Sequence, residues 1–76
     1  MWDFIIQKHG QNEFQAVYFI ISSKYKKDRF SETAQKGIAH DCGKVLAPLG
    51  MTDPIKQQEL IGLVSSFMIM EEAKYQ

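Results

Sequence analysis

At 76 residues, with nine basic and nine acidic side chains balancing to a formal net charge of zero, the chain has room for one hydrophobic core and no second domain. The charge balance excludes a generic polyanion binder, whose domain would be clearly basic, and the single cysteine, Cys42, excludes an internal disulfide framework. Domains this small bury only about 60% of the surface their unfolded chains expose, so very good packing or self-association is expected to supplement the core.

A single domain over residues 1–76 is expected. The N-terminus carries Asp3 and Lys8 and lacks the basic flank and small-residue cleavage site of a secretory signal. The apolar run from Leu60 to Met70 covers 11 residues, short of the roughly 20 that a membrane span needs. With one cysteine and no such segments, a soluble chain in the reducing cytoplasm is the expectation.

The first 27 residues admit two readings. Trp2, Phe4 and Ile6 alternate as in a strand, and Val17-Tyr18-Phe19-Ile20-Ile21 is rich in strand formers. With Gly10 as a turn between them, this gives an α+β fold in which an N-terminal β-hairpin packs on two helices. End chemistry favours the other reading. Asp3 comes early and Lys8 and His9 late in the first segment, and Gly10 is placed to end a helix. In the second segment, Asn12 and Gln15 resemble a capping box, Glu13 follows the start, and Lys24, Lys26 and Lys27 stand at the end. Phe14, Val17, Tyr18, Ile21 and Tyr25 then share one face, which predicts a helix over about Asn12 to Lys27.

From Ser31 to about Ala47 a further helix is expected, with Ser31 as its cap, Glu32 in its first turn and Pro48 as its stop. Ala34, Ile38, Cys42, Val45 and Leu46 form its apolar stripe. Gly37 and Gly43 weaken it by about 1 kcal/mol each unless close packing requires them. The last helix is the clearest. Asp53 and Pro54 are an N-cap and a first helical residue, and the pattern runs to about Lys74. The preferred architecture is therefore all-α: a small single-domain bundle of three or four helices with a long C-terminal helix.

That last helix is apolar on nearly every side. At 100° per residue, Met70, Leu63, Phe67, Leu60, Val64, Met68 and Ile61 fill an arc of about 180°, and the arc centred near Phe67 is expected to face the core. Gly62, Ser65, Ser66 and Ile69, bordered by Ile61, Met68 and Met70, are the candidate contact surface with another chain. Gly62 and Ser66 let a second helix approach closely, and methionine suits an adaptable interface.

Catalytic groups are sparse. His40-Asp41-Cys42 is the one place where reactive side chains crowd together, but residues two apart on a helix point away from each other. Cys42 falls in the apolar stripe while His40 joins Lys36 and Lys44 on the polar face. With His9, the chain holds two histidines and one cysteine, fewer ligands than a closed zinc site takes. Neither a phosphate-binding glycine loop nor a nucleophile elbow occurs. No enzyme activity, metal or cofactor is expected.

Lys24, Tyr25, Lys26, Lys27 and Arg29, followed by Phe30, form the one basic-aromatic cluster. Such a patch suits nucleic-acid phosphates and bases or an acidic protein surface. The leading expectation is a non-enzymatic interaction protein, a homodimer that acts by occupying a surface of another macromolecule. Regulators and inhibitors, those of phages and mobile elements included, are often built on this scale. The alternatives are a nucleic-acid-binding regulator using the basic cluster and, third, a small-anion or nucleotide binder at a protomer interface.

Overall fold

The computed structural model of the chain describes residues 2–25 and 31–74. Every regular element among them is helical. Helix α1 spans Trp2–His9, α2 Gln11–Lys24, α3 Glu32–Leu46 and α4 Pro54–Ala73, with a short 3-10 turn over Ala47–Leu49 after α3. The N-terminal hairpin does not form. Gly10 takes φ 99°, a conformation that only glycine adopts without strain, and joins two helices there. Its N–H donates to the Ile6 carbonyl at 2.7 Å, closing α1, and its own carbonyl accepts from the Phe14 N–H at 3.1 Å, opening α2. The capping box expected at Asn12 and Gln15 is replaced by this junction, and α2 starts at Gln11 with no side-chain cap.

At its other end α2 stops at Lys24 rather than Lys27. Tyr25 leaves the helical conformation, at φ −127°, and its ring lies over Gly37 of α3, where an added Cβ would meet the phenol oxygen at 2.6 Å. The expected caps hold at the later helices. The Ser31 hydroxyl accepts from the Ala34 N–H at 3.1 Å, and Asp53 Oδ1 accepts from the Ile55 N–H at 2.9 Å. Pro48 tightens the end of α3 into the 3-10 turn, and Gly50 (φ 95°) completes a Schellman ending. The Gly50 N–H donates to the Ala47 carbonyl and the Met51 N–H to the Leu46 carbonyl, at 3.0 and 3.1 Å.

Helices α2, α3 and α4 pack against one another, and α1 lies on α2 and α4. The core comprises Ile5 of α1, Phe14, Val17, Ile20 and Ile21 of α2, Ile38, Cys42 and Leu46 of α3, and Leu60, Val64 and Met68 of α4. Each fully buried aliphatic side chain contributes about 1.5–3 kcal/mol. At the edge of the core Phe14 meets Tyr18 and Phe67 with ring centroids 5.9 and 5.8 Å apart. Tyr18 also donates to Glu71 Oε1 at 2.7 Å, which pushes the phenol pKa up. Lys8 pairs with Glu59, fastening α1 to α4. The buried His9 ring lies beside the same carboxylate, with Nε2 3.7 Å from Glu59 Oε1. Among the described residues no helix is long and apolar enough to cross a membrane.

The two glycines of α3 separate on this geometry. Gly37→Ala should destabilise the fold, because the gain of about 1 kcal/mol in helix propensity comes with displacement of the Tyr25 ring. At Gly43 an added Cβ meets only Gln57 Oε1, at 3.6 Å, so Gly43→Ala should stabilise by up to about 1 kcal/mol. Urea melts of the two variants should move in opposite directions.

Candidate functional site

An open groove of about 720 Å³ runs between α2 and α3. Three of α3's inward positions, Ile38, Cys42 and Leu46, recur every fourth residue and build the core. The same helix turns Asp41, Lys44 and Val45 to the groove, and Leu49 is added from the 3-10 turn. On α2 the facing stripe is Asn12, Ala16, Phe19 and Ser23, opposite the buried face of Phe14, Val17 and Ile21. Lys24, at the end of α2, lies against Asp41, while Asn12 and Leu49 line the same groove. The two walls thus run antiparallel. Phe19 stands in the groove 69% exposed, an apolar side chain that the described residues leave largely uncovered.

Val45 corrects an expectation. Placed by its spacing in the inward stripe, it is 37% exposed and lines the groove. The four positions Ala34, Ile38, Cys42 and Leu46 already follow one straight row along α3, and Val45 falls beside it.

Charge is ordered at one end of the groove. Tyr25 donates to Asp41 Oδ2 at 2.8 Å, and Lys24 Nζ approaches the same oxygen at 3.4 Å. The phenol hydrogen bond first, and then the ammonium, hold the Asp41 carboxyl below its usual pKa against the opposing effect of desolvation. The Tyr25 phenol is pushed up by the same bond. Lys44 is exposed and makes no ion pair among the described residues. Of the basic cluster, Lys24 thus belongs to this network, and the Tyr25 ring packs against the core rather than standing free for stacking. Lys26, Lys27 and Arg29 lie outside the described residues.

The expected contact surface on α4 divides. Met68 is 3% exposed and belongs to the core, so its assignment to an interface is corrected. Ile61 packs against the core from its edge, and Ser65 is half-buried. Gly62, Ser66, Ile69 and Met70 are exposed, and a Cβ added at Gly62 would meet no atom within 4 Å. The inward face is centred on Val64, with Leu60 and Met68 on either side. Met70, at one border of the expected arc, lies outside.

His40 and Cys42 do not converge. His40 is exposed, whereas Cys42 is fully buried and its thiol is pushed up to about 12, chiefly by burial and further by Asp41. A thiol held protonated is a poor nucleophile. Among the described residues no three His, Cys, Asp or Glu side chains come together as metal ligands. No protein-family model matches this chain, and no curated protein or solved structure matches it either.

Proposed function

We propose that this chain is a non-enzymatic interaction protein of the regulator or inhibitor kind, which receives a protein partner in the groove between α2 and α3. The observation that carries this reading is Phe19. A phenylalanine 69% exposed, in a concave surface with Val45 and Leu49 beside it, is costly to leave in water, and convergent apolar anchors of this kind dominate binding energy at interfaces. The buried, protonated Cys42 suits a reducing, cytoplasmic setting. At the described end of the basic cluster, Lys24 is partly neutralised by Asp41 and the Tyr25 hydroxyl is engaged, which at these two positions supports a protein partner over nucleic acid.

Affinity capture from the native host with the parent chain and with Phe19→Asp tests the reading. Because Phe19 lies outside the core, the variant should melt within about 0.5 kcal/mol of the parent and should lose the captured protein. Capture of the same protein by both chains, or recovery of nucleic acid instead, would overturn it.

Self-association is a second reading, favoured by the open face of α4 at Gly62, Ser66, Ile69 and Met70. It requires a solution mass above 8.8 kDa that falls to the single-chain value in Ile69→Lys.

A further inference from the structure

Resting on the groove reading above, we infer that its occupant is one amphipathic helix of about three turns that carries carboxylates beside its apolar anchors. The walls decide the shape of the occupant. Both are helices, and no strand edge is present among the described residues to accept an extended peptide by backbone pairing. Proline-rich segments dock between several aromatic rings, and among the described residues Phe19 is the one aromatic lining the groove. A third helix laid along two antiparallel helices is the packing that remains.

Side-chain sizes support it. On α2, Ala16 and Ser23 stand a turn to either side of Phe19, so the occupant's backbone can come close where they lie and seat a large side chain against the phenyl ring. The stretch from Asn12 to Ser23 is about 16 Å of helix at ~1.5 Å per residue, room for three anchors at i, i+4 and i+7. Val45 and Leu49 offer the opposite wall for those anchors.

Charge selects the chemistry. Among the described residues, two ammonium groups and one carboxylate border the groove. The carboxylate, Asp41, is already engaged by Tyr25 and Lys24. Lys44 is left exposed beside Val45, so an Asp or Glu flanking the occupant's anchors would face an open cation, while a basic flank would meet repulsion.

The test is selection of a displayed library of 14-residue helical peptides, randomised at anchor and flank positions, on the full chain. Enriched peptides should carry large apolar residues at i, i+4 and i+7 with Asp or Glu on the flanks, and their binding, read by fluorescence anisotropy, should be lost with Phe19→Asp. Lys44→Glu should weaken the acidic peptides by about tenfold and strengthen matched peptides whose acidic flanks are changed to Lys. Enrichment of basic or non-periodic peptides, or equal binding to the Lys44→Glu chain, would overturn the acidic-helix assignment. So would a failure to enrich any peptide. In each of these cases Phe19-dependent capture of a protein from the host would still uphold the groove. If capture is also indifferent to Phe19, the groove reading itself fails. Preferential binding of single-stranded DNA, or of a second copy of the chain, at Phe19 would reject the proposal in favour of that occupant.

Discussion

Met68→Glu should leave the chain without a cooperative unfolding transition, whereas Ile69→Lys, one residue on, should melt within about 0.5 kcal/mol of the parent. The two positions have the same apolar character in sequence and opposite fates in the fold. Met68 is 3% exposed between α4 and the rest of the core, and Ile69 is 43% exposed on the outer face. Glutamate at 68 would bring a carboxylate into a core whose other members are aliphatic and aromatic side chains and the Cys42 thiol. Burying it without partners costs several kcal/mol even after it takes up a proton, and the carboxyl cannot reproduce the apolar contacts of the lost thioether. An ordinary domain of this length is stable by only about 4–11 kcal/mol, at 0.05–0.15 kcal/mol per residue. Far-UV circular dichroism in a urea titration separates the variants directly. A cooperative Met68→Glu melt near that of the parent would mean that α4 presents a different face to the bundle. A large loss at Ile69→Lys that depends on protein concentration would instead show that the outer face is covered by a second chain.

This contrast marks how far the fold was legible in the residues. The ends at Ser31 and at Asp53 with Pro54 read well because capping is local and each acts on backbone groups within a few residues; the Schellman ending at Gly50 and both ends of α2 were set by contacts that the local pattern does not carry. The Gly10 junction read only in half. The glycine signals a stop, but nothing local says that the next helix begins directly after it. Rotation of α4 was legible only within broad limits. A helical wheel supplies relative angles, and with an arc of about 180° the neighbours decide which part turns in. Here Phe14 and Tyr18 take the Phe67 side as an aromatic edge, and the face centre moves to Val64. The groove was not legible at all, because it belongs to two helices lying side by side and no single periodicity contains it. One signal was available: in a helical reading Phe19 falls outside the face made by Phe14, Val17, Tyr18, Ile21 and Tyr25, and an aromatic with no place in the core calls for a reason.

Stability should fall steeply as the pH rises above about 8.5, by roughly 1.4 kcal/mol per unit while the unfolded thiol ionises and the folded one does not. Cys42 is the cause. It is fully buried on α3, and its thiol is pushed up to about 12 by that burial and by neighbouring Asp41. A raised folded-state pKa means that the fold prefers the protonated form. Its contribution is therefore complete below the ordinary thiol value of about 8.5 and is lost as the pH climbs from there toward about 12. By pH 10.5 the loss should reach about 2–3 kcal/mol, a large part of a small domain's stability. Urea melts between pH 7.5 and 10.5 measure it, and Cys42→Ala, which cannot ionise, should flatten the lower half of that range at a modest cost in packing. Iodoacetamide supplies a second readout. At pH 8 the folded chain should be alkylated slower than its urea-unfolded form by on the order of a thousandfold, given the suppressed thiolate population. Equal rates would place the thiol at the surface and remove the basis of the prediction. Tyr18 and Tyr25, raised by their bonds to Glu71 and Asp41, act in the same direction, but unfolded phenols ionise only near pH 10. A slope that begins below pH 9 and disappears in Cys42→Ala belongs to the thiol; one that survives the substitution and begins near pH 10 belongs to the two tyrosines.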